Sequence, residues 1–364
     1  MLITAIVIND LGKAPSLAGE FEQLGLGGGD MGGGNHDMLL YDVIRDVPHL
    51  IPCLERVPTS HIGILMRGLQ LGATLNFGQV AQAECPAVSL VVLEWIRDEQ
   101  QSETSCATTL GASSHIDTMR AFELRYLEQI LDVAGASGHK DHTCAALLLE
   151  PIYQSYKAVY EVSTNILARH IGWQEGYNTI LTQRMEMLVR QNGWEKGRTL
   201  DVGNPEHKAL MRLLCICNAA MDEGQGVAEL VWETFYNELS CDTRVALVEG
   251  LNLDGSATKP AMQATYAPAI CSAAIRGSQK EGKEERKRAL ASLFRYIARV
   301  HSVTETDADG KTGSRYQGIL ILERDIRDLA LPVVSSERFQ SDPSVLDGLG
   351  VPRGHCALRV PTWQ

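Results

Sequence analysis

Residues 153–162 read YQSYKAVYEV, and the spacing of their large side chains decides the fold class. Tyr153 and Tyr156 are three apart, and Tyr156 and Tyr160 four apart. That is the repeat of a helix presenting one apolar stripe, whereas a half-buried strand alternates every second residue. A tyrosine stripe of this kind reads as core or interface packing before it reads as a cofactor box.

The same three-and-four spacing, filled with good helix formers, continues outward in both directions. It predicts helices over 2–9, 16–24, 36–45, 59–72, 77–84, 87–100, 114–133, 141–168, 174–192, 205–222, 226–238 and 283–301. Strand signals are scarce, and QGILILER at 317–324 fits a strand or a buried helix equally well. The expected fold is therefore all-α, a single large multi-helix body over 1–301. A turn-rich extension over 302–364, with proline and turn formers after 330, would pack on that body.

Composition bounds the function. The chain has 364 residues, 45% hydrophobic and 21% charged, a soluble globular balance that can bury a sizeable core. A formal net charge of −12 argues against nucleic acid or an anionic membrane as partner, since both demand a cationic surface. No apolar stretch reaches 18 residues, which argues against a membrane span. Nine cysteines, an odd number without CxxC spacing, lie mostly in apolar runs such as LLCICNAA and read as reduced core thiols of a cytoplasmic protein. A small-molecule ligand is the expected partner, and the apolar helices leave room for a homodimer.

Two segments break the helical pattern. GLGGGDMGGG at 25–34 holds seven glycines and reads as a loop; no Gly-Lys-Ser/Thr follows to make it a phosphate cradle. RGSQKEGKEERKR at 276–288 reads as a solvated helix start.

Polar side chains gather in three places. The first is Asp10, with His36 and Asp37. The second is LEQILDVAGASGHKDHTCAALLLEP at 127–151, where Glu128 and Asp132 share one helical face and repel unless a cation offsets them, followed by His139, Asp141 and His142. Carboxylates and imidazoles across a helix turn are ligand types for Zn²⁺, Mn²⁺ or iron, although Asp141 serves equally as a cap and Gly135 and Gly138 as turn residues. The third is GATLNFGQVAQAECPA at 72–87, where Asn76, Gln79, Gln82 and Glu84 interrupt a small, apolar helix. Asn76 and Gln79 share a face, and turned inward they would bind substrate or find partners in the chain. EGLNLDG at 249–255 is superficially like a calcium loop but lacks the acidic periodicity and closing glutamate of an EF-hand.

VINDLGK at 7–13, with NHD at 35–37, resembles the HD-domain superfamily of helical metal-dependent phosphohydrolases and related oxygenases, whose usual stretch is His-Asp, an apolar residue, then Gly-Lys. The match covers Asp10, Leu11, Gly12 and Lys13, with Asn9 where the family has a metal-binding histidine. The resemblance implies an HD-like helical core, a divalent metal (Mn, Fe, Zn or Mg) on Asp10, and Lys13 facing a phosphate. Extended to the other clusters, it makes Asp10, His36, Asp37, Asp132 and His139 the metal ligands and His142 the acid or base of a phosphoester hydrolase. Terpene cyclases are a second comparison, but their aspartate-rich motif is absent. Without a metal, a pocket lined by Asn76, Gln79 and the Asp132 to His142 turn would fold an apolar substrate for a cyclase, isomerase or lyase. A non-catalytic binding protein, its polar clusters serving as caps and turns, is the third reading.

Overall fold

A computed structural model describes residues 1–26, 36–106, 114–135, 148–192, 199–219, 226–256, 259–277, 282–302 and 319–356. The chain is mostly helical, as its periodicity predicts. The helices are α1 Leu2–Ile8, α2 Pro15–Gln23, α3 His36–Asp46, α4 Thr59–Thr74, α5 Phe77–Ala81, α6 Val91–Cys106, α7 Ser114–Gly135, α8 Glu150–Leu167, α9 Trp173–Asn192, α10 Pro205–Ile216, α11 Val227–Glu233, α12 Cys241–Leu251, α13 Ala267–Gly277, α14 Lys283–His301, α15 Arg327–Val334 and α16 Glu337–Ser341. A small sheet joins β1 Ala261–Thr265, β2 Ile321–Asp325 and β3 His355–Cys356. In it β2 is central, parallel to β1 with Ala261 opposite Ile321, and antiparallel to β3. Among the described residues no helix is long and apolar enough to cross a membrane.

The opening stripe behaves as packing. Tyr156 is buried on α8, and Tyr160 stacks into an aromatic cluster, its ring centroid 4.7 Å from Tyr126 and 5.6 Å from Phe122. Tyr153, at the edge of the stripe, is exposed. The expected helix over 141–168 starts only at Glu150, because Leu149 is extended and Pro151 fits the first turn, where its missing N–H costs nothing. α10 begins where Asn204 accepts hydrogen bonds from the N–H groups of Glu206 and His207.

The apolar residues at the start of the chain divide between two faces of α1. Ala5 and Ile8 are buried, but Ile3, Ile6 and Val7 lie on the outer face of α1. The undecided stretch at 317–324 supplies β2; β1 was not read as a strand, because Ala261–Thr265 is buried along most of its length and shows no alternation.

Two apolar clusters form the interior. The smaller joins Ala5, Ile8, Leu40 and Val43 to Leu65 and Leu69 of α4 and to Leu124 of α7. The larger runs from Leu71 through α14 and includes Ile321, Ile326, Val334, Phe339 and Leu346 of the chain after residue 301. The basic stretch 276–288 does supply a helix start: Lys287 on α14 pairs with Glu284, Glu238 and Glu233. Cys85, Cys215, Cys217 and Cys271 are buried free thiols, while Cys53 and Cys241 are exposed. The glycine loop lies outside the described residues after Leu26.

Candidate functional site

The first sequence cluster is brought together, but around a cation of the chain itself. Gly12 lets the turn after α1 press against the start of α3; a Cβ there would fall 2.1 Å from the His36 carbonyl oxygen. Asp10 and Lys13 then pair with each other at the surface. The Asp37 carboxylate is buried and accepts a hydrogen bond from Arg125 Nη2 at 2.8 Å. Arg125 Nη1 lies 2.9 Å from Glu128 Oε1, and His36 Nε2 lies 3.7 Å from Asp37 Oδ1. Burial lowers the pKa of His36, with Asp37 opposing and Lys13 and Arg125 assisting. Burial likewise raises Glu128 against the pull of Arg125.

These residues do not fit the metal implied by the HD-like motif. Among the described residues no group of three or more His, Cys, Asp or Glu side chains is placed to hold an ion. Arg125 is the cation that offsets Asp37 and Glu128, Asp10 is taken by Lys13, and Asp132 sits on the exposed face of α7 one turn beyond Glu128. Lys13, expected to face a phosphate, is engaged by Asp10. His139 and His142, like Asp141, lie outside the described residues.

The amide cluster is also satisfied within the chain. Asn76 is the N-cap of α5, its Oδ1 accepting from the Gln79 N–H at 3.1 Å, and Gln79 Oε1 accepts from Gln263 Nε2 at 3.1 Å. The two amide oxygens are thus engaged by the chain itself. Beside them the buried carboxylate of Glu84 accepts the Tyr266 N–H ahead of α13, and burial pushes its pKa up to about 7. Burial alone would raise Glu323 too, but hydrogen bonds from His355 and Thr265 hold it below its ordinary value.

Open space lies elsewhere, in two neighbouring chambers that share lining residues. The first, about 460 Å³, is walled by Val88, Trp173, Tyr177, Leu251 and Ile319, with Lys208 and Asp254 among its polar groups. The second, about 600 Å³, lies between the C-terminal part of α12 and the end of α14 and includes Glu249, Lys259 and His301. Asn252, Leu253 and Asp254 line both, so the loop after α12 forms the ridge between them. Both volumes suit a small molecule.

Local chemistry explains the ridge. Gly255 has φ +79°, and a Cβ on it would meet Val88 at 2.9 Å, so a side chain is disfavoured twice over. Asp254 accepts the Ser256 N–H at 2.8 Å, and this bond, with the Ser256 hydroxyl and the charge of Lys259, keeps its pKa low. Lys208 stands on the second turn of α10, its Nζ 5.8 Å from the centroid of the Tyr177 ring. Burial lowers its pKa, and Arg212 one turn along adds to the effect. Arg212 is fully buried and donates to the carbonyls of Ala83, Cys85 and Leu251, tying the strained turn at Ala83 (φ 52°) to the end of α12.

Asn252, Leu253 and Asp254 of the EGLNLDG stretch at 249–255 form this ridge. Lys208 and His301 left no local signal, since each is one polar residue on an amphipathic helix and only tertiary packing brings it to these chambers.

Helices enclosing a chamber with a desolvated lysine define an all-α protein with a small-molecule-sized pocket. The chain belongs to a family of unknown function, DUF6829, which it matches over residues 1–346. No curated protein and no solved structure matches it.

Proposed function

We propose that this protein is a small-molecule enzyme whose centre is the Lys208 chamber, and that it works by proton transfer from its own side chains, as an isomerase or lyase. The observation that carries this reading is the half-buried Lys208 amine on the wall of an apolar chamber of about 460 Å³. Burial makes this amine easier to deprotonate than an ordinary lysine, which suits it to act as a general base, and perturbed groups of this kind concentrate at active sites.

The matching chemistry is removal of a proton beside a carbonyl. The C–H bond breaks, the proton passes to Lys208 Nζ, and the electron pair moves onto the carbonyl oxygen. Asp254, held ionised, leaves Lys208 as the group that changes charge. Trp173, Tyr177 and Leu253 supply the apolar body of the pocket. Metal-dependent hydrolysis of a phosphoester finds less support, because Arg125 and Lys13 already occupy the carboxylates it would need.

The test needs no substrate. Trace acetylation of the native protein with acetic anhydride across pH 6–11, read by mass spectrometry, gives the titration of each lysine. Lys208 is expected to titrate below the ordinary lysine value. Cyclohexanone and similar carbonyl compounds are expected to protect it. Titration of Lys208 at the ordinary lysine value would sink the proposal.

A further inference from the structure

A fixed positive charge lies behind the wall of the first chamber. Arg212 is fully buried on α10, one turn after Lys208. Its guanidinium donates to the carbonyl oxygens of Ala83 at 3.1 Å, Cys85 at 3.3 Å and Glu84 at 3.4 Å, and also to that of Leu251. Four carbonyls hold the group in place, and among the described residues it forms no ion pair with a carboxylate. Arg125, the buried arginine of α7, is by contrast met by both Asp37 and Glu128. A guanidinium keeps its proton, and carbonyl dipoles do not cancel a whole charge.

The groups at the wall respond to this charge. Leu251, whose carbonyl it takes, lines the chamber with Tyr177 and Lys208. Burial raises the Tyr177 phenol and the neighbouring Cys85 thiol, and Arg212 pulls both back toward ionisation. Burial lowers Lys208, and Arg212 lowers it further. Deeper in the interior Arg212 acts in the same sense on Cys215 and His301. Every response has one sign, so this wall favours negative charge and disfavours positive. The carboxylate in the lining, Asp254, is exposed on the ridge, where the Ser256 N–H and Lys259 offset it.

Removal of a proton beside a carbonyl builds negative charge on the carbonyl oxygen, and fixed charges near such an oxygen are worth most where water is excluded. We infer that the first chamber binds an anionic oxygen, that of an enolate or a phenolate, in preference to its neutral form, and that Arg212 is the positioning residue whose fixed charge sets this preference. The inference deepens the proposed function and rests on its reading of the chamber as the substrate site. Arg212 touches no substrate and acts through the wall.

The probe is p-nitrophenol, whose phenolate absorbs in the visible and whose neutral form does not. With the native protein in excess, absorbance against pH reads the ionisation of the bound probe, and displacement by cyclohexanone places it in the chamber. The phenolate is expected to be favoured about tenfold over its balance in water, which moves the midpoint down by about one pH unit. Lys208→Met is expected to keep a lowered midpoint, since Arg212 remains, whereas Arg212→Met is expected to return it to the value in water or above. A merely structural role for Arg212 would weaken folding without moving the midpoint. If Arg212→Met does not fold, the midpoint in Lys208→Met decides alone. A probe that does not bind, that cyclohexanone does not displace, or that ionises in Lys208→Met as it does in water overturns the inference, as does an unmoved midpoint in folded Arg212→Met. Acetylation of Lys208 in the parent judges the proposed function separately: a lowered titration with a failed probe leaves that reading standing, and an ordinary titration removes it whatever the probe does.

Discussion

Gly72 on α4 shows how one missing side chain positions a charge. A Cβ at this position would fall 2.4 to 2.6 Å from the Arg125 guanidinium. That guanidinium cannot swing aside at little cost, because Asp37 holds one nitrogen and Glu128 stands against another in the interior. Gly72→Ala is therefore expected to destabilise the protein by about 1 to 3 kcal/mol, the usual cost of overpacking. Urea unfolding measures it, and an unchanged midpoint would mean the ion network yields freely. Arg125→Met is expected to cost more, about 3 to 5 kcal/mol, because it strands two buried carboxylates. The sequence exposed Glu128 and Asp132 as a pair in need of a cation, but not which cation. Arg125 was equally visible on that helix, and only packing against α3 and α4 distinguishes it from a surface arginine.

At the scale of elements, α13 and α14 each end on a group whose protonation differs between folded and unfolded chains. Glu84 receives the N–H ahead of α13, with its pKa raised from 4.5 to about 7. The folded state then holds the extra proton between these values, so Glu84 favours folding at the acid end and loses that contribution as pH rises. His301 at the end of α14 has its pKa lowered from 6.5 to about 3. There the unfolded chain holds the extra proton, and stability is lost as pH falls below 6.5. Across pH 4.5 to 6.5 the two slopes oppose, each about 1.4 kcal/mol per pH unit. Relative to the parent, Glu84→Gln is expected to make stability rise more steeply with pH in that window. His301→Gln is expected to make it fall. Chemical denaturation at half-unit steps reads both, and parallel curves for parent and variants would refute the assignment. Helix periodicity located α14 and the polar interruption at Glu84, but α13 escaped it; Ala267–Gly277 is short and rich in small residues, and its start depends on a carboxylate from far upstream.

Across the whole molecule, described residues after 318 are held in the main interior. β2 pairs along β1, and Ile321, Ile326, Phe339 and Leu346 join the larger apolar cluster. Truncation after His301 is expected to abolish cooperative unfolding and to expose the amides of Ala261–Thr265 to hydrogen exchange. A truncated chain that keeps a sharp transition and protected β1 amides would show that the helical body stands alone.

The helical class of the protein and most helix positions followed from apolar spacing, to which the structure adds Pro151 and Pro205 near helix starts and Asn76 and Asn204 as caps. These depend on neighbours within four residues and so are written in the order of the chain. Pairing of β1 with β2, capture of Asp37 by Arg125, and the meeting of Lys208, Asn252, Asp254 and His301 around two neighbouring chambers depend on residues dozens of positions apart. Electrostatics and cavity shape arise from that packing, which is what sets Arg125 against Asp37 and Glu128.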